Sequence, residues 1–176
     1  MAGITGDILW RQYMGMSNRA DVLNGFVPLG GIQTLAVIQG VATGGASITL
    51  LSSQISSVCL FDSASGGVFN LPAPATIPIG SWFEFVTTAT ITSNSAKILT
   101  DSATTFLVGG IASINATASA LYAANGTTSR SVNGNGTTTG GIAGSRYRVT
   151  LINTTQWFLE GTTYSSGTVA TCIAIS

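Results

Sequence analysis

The residues able to do chemistry in this chain are few, and histidine is absent. That removes the commonest general base, the serine triad and the histidine-containing metal sites. Six carboxylates remain: Asp7, Asp21, Asp62, Glu84, Asp101 and Glu160. A glycosidase needs two of them across a sugar bond. Glu84 (in Trp82-Phe-Glu-Phe85) and Glu160 (after Trp157-Phe-Leu159) sit beside aromatic residues on predicted strands, so they are the pair that could serve. The competing reading is that both face solvent and pair with Arg146 or Arg148 across a sheet. Lys97, the single lysine, falls just after a turn and reads as a solvated surface group.

Other motifs are weaker. The glycine pairs Gly44-Gly45, Gly66-Gly67, Gly109-Gly110 and Gly140-Gly141 lack the lysine and following helix of a phosphate loop, and read as turns. Asp62 and Asp101 are too isolated for a calcium cage. Cys59 and Cys172 are too few for a thiolate zinc site; they are two reduced core thiols or one bridge between the first and last strands of the domain. Four Asn-x-Thr triplets start at Asn115, Asn125, Asn135 and Asn153, a match expected by chance in so threonine-rich a chain. No cofactor, metal or catalytic residue is assigned, and the chain reads as non-enzymatic.

The elements that would hold these residues are strands. Ser81–Thr92 alternates, with Phe83, Phe85, Ala89 and Ile91 on one face and Trp82, Glu84, Thr88 and Thr90 on the other. Arg146–Ile152 places Tyr147, Val149 and Leu151 on one face and Arg146, Arg148 and Thr150 on the other; Asn153-Thr-Thr155 then turns the chain into Trp157-Phe-Leu159. The runs Thr34–Ala42 and Ala46–Leu51, joined by Thr43-Gly-Gly45, suggest a hairpin. Thr168–Ile175 reads as the last strand. The quartet Asn-Gly-Thr-Thr occurs at Asn125 and Asn135, and suggests two hairpin tips or one long loop. The expected fold is all-β, an antiparallel β-sandwich or jelly-roll-like domain over residues 32–176 behind an N-terminal extended arm over residues 1–31.

Composition narrows the function. Only 7% of the 176 residues are charged, the formal net charge is zero, and hydrophobic residues make up 45%. Six basic residues balanced by six acids argue against a nucleic-acid partner. Glycine, Pro28 and polar residues interrupt every apolar run that might enter a membrane. Asp7 and Arg11 interrupt the start of the chain, so no export signal is read there. A surface so poor in charge is poorly protected from association, which points to burial against copies of itself or a partner. The arm holds Trp10, Arg11, Tyr13, Met14, Met16 and Arg19, residue types enriched at protein interfaces. They form a partner interface or pack on their own domain.

The stretches Leu60-Phe-Asp-Ser-Ala-Ser-Gly-Gly-Val-Phe-Asn-Leu-Pro-Ala-Pro74, Gly80-Ser-Trp-Phe-Glu-Phe-Val86 and Thr92-Ser-Asn-Ser-Ala-Lys-Ile-Leu-Thr-Asp101 resemble small structural proteins of tailed bacteriophages. The resemblance runs from Ser57 to the C-terminus and rests on turn and strand chemistry. It implies a capsid decoration (cement) protein: a virion component made in the host cytoplasm, seated on the outer capsid surface and bound to the major capsid protein and to its own copies as a trimer. It brings no catalytic residues. The rival expectations are a tail fibre or spike that binds host glycans, with Trp82, Trp157 and Tyr164 as contacts, and a hydrolase that uses Glu84 and Glu160.

Overall fold

The computed structural model describes residues 41–93 and 96–175. Strand accounts for 46% of them, and no helix among them reaches seven residues. The fold is the expected all-β sandwich. The first strands are β1 (Val41–Ala42), β2 (Ser47–Thr49), β3 (Ser57–Phe61), β4 (Gly67–Asn70), β5 (Trp82–Thr87) and β6 (Ala96–Leu99). There follow β7 (Phe106–Ile114), β8 (Ser119–Asn125), β9 (Ser131–Gly134), β10 (Arg146–Leu151), β11 (Gln156–Tyr164) and β12 (Ile173–Ala174). A seven-stranded sheet has the order β1-β3-β5-β10-β11-β7-β8, and a five-stranded sheet has the order β12-β9-β6-β4-β2.

Both sheets are mixed. Odd strands β1, β3 and β5 lie parallel in the larger sheet, and even strands β2, β4 and β6 lie parallel in the smaller one. The chain therefore winds from sheet to sheet like a coil over its first six strands. Thr43-Gly-Gly45 does not close a hairpin: β1 pairs with β3 and β2 with β4. The turn instead hands the chain to the opposite sheet, with Asp62 accepting from the Gly44 amide at 2.8 Å. By contrast β10 and β11 form the antiparallel hairpin expected around Asn153, in the register Arg148↔Glu160.

The core follows the alternation. Phe83 and Phe85 of β5, with Tyr147, Val149 and Leu151 of β10, point inward and are buried. Phe69, from the smaller sheet, meets Phe61 and Phe85 of the larger one at centroid distances of 5.1 and 5.3 Å. Such a triplet locks the two sheets together, each ring worth about 1.5–3 kcal/mol of burial. Trp157 lies deeper in the hairpin half, 6.1 Å from Phe83.

One glycine reading changes. Gly109-Gly110 is not a turn but lies within β7. A Cβ at Gly109, where φ is +127°, would run into the Leu159 carbonyl of the parallel neighbour β11. Only glycine lets the two backbones approach so closely. The last strand also shrinks to Ile173–Ala174. The boundary between arm and domain at residues 31–32 lies outside the described residues, as do residues 94–95 of the turn read before Lys97.

Candidate functional site

The outer face of the seven-stranded sheet collects the charged residues that the inner face rejects. Register aligns Glu84 of β5, Arg148 of β10 and Glu160 of β11 in one row, and Val86, Arg146 and Thr162 in the next. Glu84, Arg146, Arg148 and Glu160 are four of the eight charged residues between positions 41 and 175, the others being Asp62, Lys97, Asp101 and Arg130.

The contacts run diagonally. Arg146 Nη2 donates to Glu84 Oε2 at 2.7 Å, an ion pair of which the Glu84 side chain is mostly covered and the Arg146 side chain mostly exposed. That hydrogen bond first, and the Glu84 charge second, hold the Arg146 guanidinium above its ordinary value. The Arg148 guanidinium carbon lies 4.4 Å from the Trp82 ring centroid, a cation–π stack. So the ion pairing expected of Glu84 is made by Arg146, and Glu160 stays exposed on the neighbouring strand.

Beside these groups opens a cleft of about 480 Å³, lined by Gly144, Arg146, Arg148, Glu160, Thr162 and Tyr164 among others. The strands that line it also hold a buried polar network. Tyr147 Oη and Thr163 Oγ1 are 2.6 Å apart, and Thr163 Oγ1 donates to Ser145 Oγ at 3.2 Å. Ser145 Oγ in turn accepts from the Tyr164 amide at 3.0 Å. The Gly144 amide donates to the Thr87 carbonyl at 2.8 Å, tying this cleft residue to the end of β5. Burial raises the Tyr147 hydroxyl well above its ordinary value, so it stays protonated as a structural donor or acceptor. Ser145 and Thr163 drew no notice in the sequence, yet the Asn153 hairpin register places them opposite each other just beyond Arg146↔Thr162.

The remaining candidates have structural places. Trp157 is fully buried, which removes it as a glycan contact; Trp82 is half-buried under Arg148, and Tyr164 is exposed at the cleft. Lys97 lies half-buried on β6 of the other sheet. Cys59 and Cys172 are both free and buried, and burial pushes their thiols up to about 12 and about 11. No group of three His, Cys, Asp or Glu residues able to hold a metal exists among the described residues, and no helix among them is long and apolar enough to cross a membrane. Trp10, Arg11, Tyr13, Met14, Met16 and Arg19 lie outside the described residues.

The four Asn-x-Thr triplets share one local role. Asn125 Oδ1 accepts from the amides of Thr127, Thr128 and Ser129, and Asn135 Oδ1 from those of Thr137, Thr138 and Thr139. In both, Nδ2 donates to the second threonine hydroxyl, at 2.7 Å on Thr128 and 3.0 Å on Thr138. Asn115 and Asn153 cap the amides of Thr117 and Thr155 in the same way. These are Asx turns. The two quartets are neither hairpin tips nor one loop: the first carries the chain from β8 in one sheet to β9 in the other, and the second follows β9.

Comparison with protein-family models, with characterised proteins and with solved structures returns no match for this chain.

Proposed function

We propose that this chain is a non-enzymatic virion structural protein, a capsid decoration (cement) protein that binds the outer surface of the major capsid shell and stabilises it. The observation that carries the reading is the unequal distribution of charge. Half of the eight charged residues between positions 41 and 175, Glu84, Arg146, Arg148 and Glu160, gather on one sheet face beside an open cleft. A fixed ion pair and an arginine stacked on an aromatic ring suit a protein partner, where such charges set register and orientation more than affinity. A sparsely charged surface suits burial among many subunits, because unpaired buried ions are costly. Capsid subunits repeat, so modest contacts from each copy would add over the shell against the pressure of packaged DNA.

The test is to remove the protein from particles, add back either the native chain or Arg148→Glu, and measure DNA release on heating or osmotic shock. Native protein should restore resistance and Arg148→Glu should not. Particles equally stable with and without the protein would sink the reading.

One observation favours a second reading, a tail fibre or spike that binds host glycans. Tyr164 stands exposed beside Arg146, Glu160 and Thr162, an aromatic surface with polar groups at its rim. Binding of the purified chain to host-cell glycans, lost in Tyr164→Ala, together with absence from the capsid surface, would favour it.

A further inference from the structure

Among the described residues the two sheets end in four edge strands, β1, β8, β2 and β12. Strand β12 is two residues long and β2 is three, and β1 is described over Val41–Ala42, from the first described residue onward. The fourth, β8, is seven residues long and reads Ser-Ala-Leu-Tyr-Ala-Ala-Asn. Exposed edges are normally guarded by a lysine, a proline, a bulge or brevity. Strand β8 has none of these: its pairing with β7 runs without a break from Val108↔Asn125 to Ile114↔Ser119. The chain carries no charge between Asp101 and Arg130.

The direction of its backbone groups follows from the two ends. The Asn115 amide donates to the Ala118 carbonyl, and the Gly126 amide to the Leu107 carbonyl, both at 2.9 Å. Alternation then turns Ala118, Ala120, Tyr122, Ala124 and Gly126 toward β7, and Ser119, Leu121 and Ala123 toward the open side. On that side the Asn125 amide is already taken by Ser129 Oγ at 3.1 Å. The free row is thus three residues long and centred on Leu121. Leu121 is also the most exposed large hydrophobic side chain among the described residues, at 77%.

We propose that β8 is a self-association edge, paired antiparallel with β8 of a second copy about a two-fold axis through Leu121. The row fits this occupant by its own symmetry. With Leu121 opposite Leu121 and Ser119 opposite Ala123, every free donor and acceptor of one copy meets its counterpart on the other, and none is left over. Both leucine side chains fall on the same outer face beside the axis, where each covers the other. The strand has no charge to repel its twin. The contact joins two seven-stranded sheets into one and is independent of what the charged cleft binds. It differs from the three-fold ring that the phage resemblance implies.

The experiment is the mass of the full chain in solution by sedimentation equilibrium, native against Leu121→Lys. Because Leu121 is exposed, the variant should keep the native fold, read by circular dichroism, while its mass falls by half and its melting temperature loses the dependence on protein concentration that a dimer shows. Leu121→Cys supplies a second readout. A hydrogen-bonded antiparallel pair holds its Cα atoms about 5.5 Å apart, within the span a disulfide bridges. Added oxidant should therefore trap a covalent dimer of Leu121→Cys and far less of Asn125→Cys, the native thiols Cys59 and Cys172 being buried. A native chain at monomer mass, a mass unchanged by Leu121→Lys, or equal trapping at positions 121 and 125 would overturn the proposal.

Discussion

The coil of β1 to β6 and the hairpins of β7–β8 and β10–β11 build the same sandwich by opposite means. In the hairpin half each strand lies beside its neighbour in sequence, and the turn between them sets the register. In the coil each strand lies beside the strand two further on, with registers such as Val41↔Cys59 and Cys59↔Phe85. No turn fixes those registers. What remains to fix them is side-chain packing between the sheets, chiefly the Phe61, Phe69 and Phe85 cluster. Local turns specify one half and the core specifies the other.

The largest effect should come from removing the packing that the coil depends on. Phe69 is fully buried and touches both rings from the opposite sheet. Phe69→Ala should cost about 3–5 kcal/mol in urea unfolding, through lost burial and the cavity left behind. Hydrogen exchange should show the loss of protection concentrated in β1 to β6, with the β10–β11 hairpin retained. Equal loss in both halves would break the distinction.

A smaller effect should separate the two Asn-Gly-Thr-Thr turns, which share one conformation but sit in different surroundings. Gly126 has φ +73° and Gly136 φ +72°. A Cβ at Gly126 would meet the side chains of Gln156, 2.9 Å from Nε2, and Val108, both of which can shift. A Cβ at Gly136 would overlap the Ile91 backbone carbonyl, which cannot move without dragging the chain that leaves β5. Gly126→Ala should therefore cost about 1–2 kcal/mol, the ordinary penalty for a left-handed residue. Gly136→Ala should cost about 3 kcal/mol or more. Similar values for the two would mean that the turn alone sets their cost.

The same contrast explains what could be read from the sequence. The alternation of Phe83 and Phe85 with Trp82 and Glu84 was enough to assign inner and outer faces, and the Asn153 turn was enough to place β10 against β11. Period-two alternation identifies a strand's faces but says nothing of its partner. That is why Thr43-Gly-Gly45 looked like a hairpin tip, although Asp62, nineteen residues past Thr43, helps turn the chain toward the other sheet. The outer-face position of Glu84, Arg146 and Arg148 was legible, but the diagonal choice of partners was not. It depends on how Arg148 stacks on Trp82 and so leaves Arg146 to Glu84. The Asx turns were legible in principle, since an asparagine two residues before a threonine amide is the signature of that turn.

The last effect is graded with pH and uses one thiol near each end of the described chain. Cys59 in β3 belongs to the coil; Cys172 precedes β12. Burial raises both above the ordinary value of 9.0, to about 12 for Cys59, against a weaker opposing hydrogen bond from Ser57, and to about 11 for Cys172. Above pH 9 the unfolded chain releases both protons while the folded chain keeps them, so the folded state binds more protons and stability must fall as pH rises. Each thiol contributes a slope of about 1.4 kcal/mol per pH unit inside its window. Between pH 9 and 11 both thiol slopes act; between 11 and 12 only that of Cys59 remains of the two, and buried Tyr147 adds in the same direction from its ordinary value of 10.0 upward. Cys172→Ala should therefore flatten the decline of the urea midpoint only up to pH 11, whereas Cys59→Ala should flatten it to pH 12. If the two variants trace the same curve, the two thiols are held alike, and the contrast between the two halves does not extend to them.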